Sequence, residues 1–152
     1  GKTQGVSWRA ALRPSGSGVC AEPDRRAREV GAVKKILVCE DSSFFRNVFH
    51  SYLQKEGFAV VTAKDGQEAV NKTRLERPDL VLLDVILPDI DGCRVCRLLK
   101  ADPALQKIPV LMCSVRGRDD DAQRGYDAGA DAYFPKSGAP ELLLQKIKEL
   151  IC

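Results

Sequence analysis

From Lys34 onward, short and continuously apolar runs alternate with segments whose apolar residues recur at helical spacing, five times in succession. "KKILVCED" is a run ending in two acids. "SSFFRNVFHSYLQKEG" follows, with Phe44, Phe45, Val48, Phe49, Tyr52 and Leu53 at helical spacing, a serine cap in front and Gly57 as a stop. "FAVVTAKDG" predicts a strand and turn, "QEAVNKTRLE" a helix, and "PDLVLLD" a buried strand. "CRVCRLLKAD" predicts a helix and "IPVLMCS" a strand. "DDDAQRGYDAG" predicts a helix with acids at its positive end and a glycine stop. "ADAYFP" is the fifth strand, and "APELLLQKIKELI" the last helix, with Pro140 suited to its first turn. Strands alternating with crossover helices pair in parallel, and runs apolar on both faces need helices on both sides. The fold class is therefore α/β, a doubly wound parallel sheet of five strands. Sites in such sheets form beyond the carboxyl ends of the strands, where strand order reverses.

The polar residues fall at that edge. Glu40 and Asp41 end the first strand and Asp84 the third; Ser114 ends the fourth, and Lys136 lies just past the fifth. Three carboxylates close together repel one another unless a cation neutralises them. Oxygen donors without Cys or His suit Mg²⁺, which keeps positions for water and phosphate oxygens. A lysine and a hydroxyl beside them supply the point charge and the donor that a phosphoryl group needs. An aspartate can attack phosphorus and form an acyl phosphate. Taken singly, Asp41 or Ser42 reads as a helix cap, Ser114 as a turn residue and Lys136 as a surface charge. The plain reading needs five coincidences at one edge.

Charge and cysteine content narrow the function. The net charge of +3 resides wholly in residues 1–33, which hold six basic and three acidic residues; 18 of each sign remain from Lys34 on. A neutral body with a mildly basic tail does not suit direct nucleic-acid binding. No apolar run approaches the roughly 18 residues of a membrane span. Residues 1–33 lack apolar periodicity and contain "RPSGSG" and "EPDRRAR", so they read as a disordered basic extension or tag. "GKT" at the start imitates the end of a phosphate-binding loop but lacks the upstream glycine and strand. Cys39 and Cys113 fall in strands and read as core. Cys93-x-x-Cys96 opens a helix, where a helix terminus could lower a thiol pKa. It lacks the Trp and Pro of a redox motif and the second ligand pair of a zinc site. Cys20 and Cys152 read as unpaired, and six reduced thiols suit a cytoplasmic location. His50 reads as a surface or boundary residue.

The acid pair "ED" (Glu40, Asp41), "LLDVILPDIDG" around Asp84, "PVLMCS" ending in Ser114 and "AGADAYFPK" reaching Lys136 together resemble the receiver domain of two-component response regulators. The resemblance runs from Lys35 to Leu150, within a receiver unit at residues 34–152. It implies a flavodoxin-like strand order 2-1-3-4-5. It implies that Asp84 accepts phosphate from a histidine kinase or phosphotransfer protein. Asp41, Asp84 and the Ile86 carbonyl would ligate Mg²⁺, and Glu40 would hold it through water. Lys136 would bind phosphoryl oxygens, Ser114 would move to hydrogen-bond them, and Tyr133 would turn inward as it does so. The fourth helix and fifth strand would form the bistable element. Gly125, which costs that helix about 1 kcal/mol against Ala, predicts it to be soft. Pro88 and Gly92 would shape the acceptor loop, Gly92 through a backbone angle other residues dislike.

Two departures stand out. Ser137 follows Lys136 where the family usually has Pro, often in a cis bond that costs about 3–4 kcal/mol without proline. Ile86 and Arg116 occupy the positions that tune water access in this family, and the apolar Ile86 predicts a long-lived phosphoryl group. The output would be a downstream protein target or an effector domain absent from this chain, with no membrane attachment. The alternative is a phosphotransferase or phosphatase that forms and hydrolyses an aspartyl phosphate. Such enzymes usually carry a second Asp where this chain has Ile86.

Overall fold

The computed structural model describes residues 33–115 and 119–152, together with Trp8. The strands are β1 (Lys35–Cys39), β2 (Ala59–Ala63), β3 (Leu80–Asp84), β4 (Val110–Ser114) and β5 (Ala132–Pro135). They alternate with α1 (Ser43–Lys55), α2 (Gly66–Glu76), α3 (Gly92–Ala101), α4 (Asp119–Asp127) and α5 (Pro140–Ile151). The starts and stops follow local chemistry. Ser42 caps α1 by accepting from the Phe45 N–H, Asp65 caps α2 by accepting from Glu68, and Pro140 sits in the first turn of α5. Gly57 after α1 and Gly129 after α4 adopt φ of 98° and 101°, as expected of glycine stops.

All strand pairs are parallel, in the order β2-β1-β3-β4-β5 anticipated from the sequence. β3 and β4 are buried along their whole length. Alternate residues face opposite layers. Ile36, Val38, Leu80, Leu82, Leu111 and Phe134 pack on Phe49 and Leu53 of α1 and on Leu143 and Ile147 of α5. Leu37, Cys39, Val81, Leu83, Val110 and Met112 pack on Val70 of α2 and on Val95, Cys96 and Leu99 of α3. Because β1 pairs with both β2 and β3, the chain leaves it first to one side and then to the other. That reversal opens a crevice at the carboxyl ends of β1 and β3.

The expectations for Cys20, for Arg116 and for residues 1–33 lie outside the described residues, Trp8 and Val33 excepted. Trp8 is buried against Phe49, Tyr52 and Phe134. A single indole in a stretch without period leaves no pattern by which sequence reading could place it. Gly92 requires a correction: it is not among the glycines with positive φ. A Cβ at this position would lie 2.0 Å from the Asp84 carbonyl oxygen, so close approach rather than an unusual backbone angle excludes other residues. Gly125 likewise lets α4 approach β4, since a Cβ there would meet Met112 Cγ at 3.2 Å.

Candidate functional site

At the crevice a depression of about 320 Å³ is lined by Glu40, Asp41, Ser42, Phe45, Asp84, Ile86, Val115 and Lys136. Lys136 Nζ lies 2.6 Å from Glu40 Oε2 and 3.1 Å from Asp84 Oδ2, and all three residues are buried. Each carboxylate has a main-chain brace as well: Ser42 N–H donates to Glu40 Oε1 at 3.2 Å, and Ile86 N–H to Asp84 Oδ1 at 3.2 Å. The ammonium also sits 4.7 Å above the centre of the Phe45 ring, a cation–π contact. Ile86 and Val115, both more than half exposed, flank the mouth.

The sequence expectation of one shared edge holds for Glu40, Asp41, Asp84 and Lys136. Ser114 ends β4 at the same edge but is fully buried, and it is its neighbour Val115 that reaches the depression. Lys136 is tied to Ser114 through the backbone, its N–H donating to the Ser114 carbonyl at 2.8 Å. Tyr133 lies partly buried on the α3 side of the sheet, its hydroxyl oxygen shielded from solvent. The Lys136–Ser137 bond is trans, and Gly138 N–H closes the turn onto the Pro135 carbonyl at 2.7 Å. Phe45, which the helical spacing marks only as an apolar position, is a site residue too. Its role was illegible because an apolar helix residue looks alike whether it faces a core or a cation.

Burial raises the Glu40 carboxyl to about 7, with the Asp84 charge adding to the effect and Lys136 opposing it. Burial disfavours the Lys136 ammonium, but Cys113, Glu40 and Asp84 outweigh it and the Lys136 pKa is raised. Lys136 and the Arg46 guanidinium, which donates to the Glu40 and Asp41 carbonyls at 2.9 and 3.2 Å, set two cations against three carboxylates and leave an excess of negative charge. Among the described residues no three acidic, Cys or His side chains converge closely enough to hold an ion by themselves. Glu40, Asp41 and Asp84 line the depression with oxygen donors alone, a set that fits a hard cation whose shell is completed by main-chain oxygen and water, the habit of Mg²⁺.

The loop carrying Ile86 is held from outside. Asp89 accepts from the Gly66 and Gln67 N–H groups at the start of α2 at 2.8 and 2.9 Å. Against a desolvation penalty, these bonds lower the Asp89 pKa. Asp91 caps α3 through the Cys93 N–H and meets Arg124 of α4 at 2.8 Å.

Four of the five described cysteines are packed in the core. Cys39, Cys93, Cys96 and Cys113 are free and buried. Burial raises the thiols of all four, Cys96 to about 11, the opposite of the activation a helix start could give. An alkylating reagent in mildly alkaline buffer should therefore modify the exposed Cys152 rapidly and these four only after denaturation. Rapid native-state modification of Cys93 or Cys96, mapped by mass spectrometry, would contradict this.

Fold and pocket together define a doubly wound α/β protein with an acidic, lysine-bearing site at its topological switch point. The family model for the response regulator receiver domain matches residues 36–148, and the chain belongs to that family. It is 36% identical to the alkaline phosphatase synthesis transcriptional regulatory protein PhoP of Bacillus subtilis, over 78% of this chain and 48% of that protein. It is 38% identical to the phosphate regulon transcriptional regulatory protein PhoB of Klebsiella pneumoniae, over 78% of this chain and 52% of that one. The chain thus spans about half the length of these relatives. Among solved structures, a response regulator of Chloroflexus aurantiacus superposes with a TM-score of 0.76 at 28% identity, covering 78% of this chain and 98% of that one. Chemotaxis protein CheY4 of Vibrio cholerae superposes at 0.73 and 29%, covering 78% and 99%. The chain is a flavodoxin-like receiver domain of phosphorelay signalling. Among the described residues no helix is long and apolar enough to cross a membrane.

Proposed function

We propose that Asp84 is the phosphoacceptor of this receiver, loaded from the phosphohistidine of a histidine kinase or phosphotransfer protein. The observation that carries the reading is the single ammonium of Lys136 bridging Asp84 and Glu40 in a buried crevice. A carboxylate oxygen of Asp84 bonds to phosphorus as the phosphorus–nitrogen bond to the imidazole breaks, and the nitrogen keeps the electron pair. Lys136 then meets the added negative charge, and the Ile86 N–H holds Asp84 in place. Mg²⁺, when bound, would neutralise phosphoryl charge; Asp41, Asp84 and the Ile86 carbonyl would hold it, and Glu40 would do so through water. Ser114 moves toward the phosphoryl oxygens, and Tyr133 with α4 and β5 carries the change to a protein-binding face. The domain acts as a switch, and its output is a protein target or an effector domain outside this chain. The two relatives are named as transcriptional regulators, which supports an effector of that kind. The domain works in the cytoplasm.

Incubation with acetyl phosphate and Mg²⁺ tests the reading against an aspartyl-phosphate enzyme. One equivalent of phosphoryl adduct should accumulate, with acetate as the leaving group; release of many equivalents of phosphate per chain would favour the enzyme. The adduct should also persist. Ile86 is 53% exposed at the mouth and offers no polar group to guide water onto phosphorus. After removal of the donor the label should decay over minutes to hours, and decay within seconds would contradict this role of Ile86.

A further inference from the structure

Trp8 lies far from the pocket in sequence yet touches the residue at its centre. It is 8% exposed, and its indole meets three rings edge-on: Phe49 and Tyr52 of α1 at 5.3 and 5.5 Å, and Phe134 of β5 at 6.5 Å between centroids. Edge-to-face arrangements of this kind are favourable beyond area burial. Its Nε1 also points at the Lys136 carbonyl, a long contact of 3.5 Å. Lys136 is therefore attached on three sides: its carbonyl to Trp8, its N–H to Ser114, and its Nζ to Glu40 and Asp84. We propose that the aromatic slot formed by α1 and β5 binds the chain's own Trp8 and couples its docking to the charge state of Asp84 through Lys136. The slot holds Trp8 while Lys136 lies against the two carboxylates. A phosphoryl group on Asp84 draws the ammonium to new oxygens and shifts the backbone that carries Phe134 and the Lys136 carbonyl, so docking weakens. By linkage, a docked Trp8 opposes phosphorylation by the same factor. Docking within one chain is favoured over docking by a second copy. The 25 peptide steps from Trp8 to Val33 reach at most about 90 Å. Covalent connection also makes docking within the chain independent of protein concentration.

This coupling rests on the receiver reading. Because Trp8 is the sole tryptophan, its fluorescence reports the slot directly. The full chain, untreated, should show a blue-shifted emission protected from acrylamide. After acetyl phosphate and Mg²⁺ the quenching constant should rise about two-fold or more, and Trp8→Ala should tighten equilibrium binding of the phosphoryl analogue beryllofluoride in Mg²⁺ about five-fold, the low end of typical site–site coupling. Complete adduct formation with unchanged quenching overturns the coupling while leaving the receiver function intact. An equal beryllofluoride affinity in a folded Trp8→Ala chain, checked by circular dichroism, does the same. Should that variant not fold, the wild-type quenching decides alone. No adduct at all removes the receiver reading and the coupling together, while the emission of the untreated chain still tells whether Trp8 is docked.

Discussion

Replacing Lys136 with methionine should lower the stability of the metal-free protein by about 3 kcal/mol, the low end for breaking a buried ion pair from one side. The ammonium lies against Glu40 and Asp84, and the three side chains are no more than 7% exposed. Without it, two carboxylates face each other out of water, and one must take a proton or attract a cation. Glu40 is the one to do so, since burial and the Asp84 charge already raise it to about 7 with the lysine present. A carboxyl whose folded pKa lies above its unfolded value stabilises fully below the unfolded pKa and loses that contribution as pH rises through the folded pKa. The variant's deficit should therefore be smaller near about pH 6 than near about pH 8, and Mg²⁺ should reduce it at the higher pH. Urea midpoints in EDTA and in Mg²⁺ at both pH values measure this. An unchanged midpoint at the higher pH would mean the buried bridge contributes nothing.

Gly92→Ala should be the second severe change, through shape rather than charge. Its Cβ would stand 2.0 Å from the Asp84 carbonyl oxygen and 2.9 Å from Val85 Cα, contacts that only movement of the backbone relieves. Overpacking of this kind costs about 1–3 kcal/mol. The movement falls on β3 where it presents Asp84, because Gly92 N–H is bonded to the Val85 carbonyl at 2.8 Å. A displacement of about 1 Å at a reacting group can cost on the order of 100-fold in rate. Phosphorylation by acetyl phosphate should therefore fall at least ten-fold, more than the stability loss alone accounts for. A variant that phosphorylates normally would show that the loop has room after all.

Much of this is legible in the sequence itself. Runs such as "LVLLD", apolar at every position, mark strands covered on both sides, and the intervening helical spacing forces parallel pairing. The carboxyl-end placement of Glu40, Asp41, Asp84 and Lys136 follows from that alternation alone, whereas the strand order came from resemblance to a family. Other features had no sequence signal. Gly92 looked like a turn glycine because composition does not distinguish a glycine needed for its backbone angle from one needed for its missing side chain. Phe45 looked like core. Trp8 sat in a segment with no period, and long-range aromatic contacts leave no local trace.

The claim that Asp84, held by Lys136, takes the phosphoryl group is tested most directly by locating the adduct. The full chain is treated with acetyl phosphate and Mg²⁺, reduced with borohydride to mark the acyl phosphate, digested and mapped by mass spectrometry beside Asp84→Asn. Modification at Asp84 alone, absent from the variant, is the expected result. Modification at another carboxylate, or equal labelling of the variant, would contradict it.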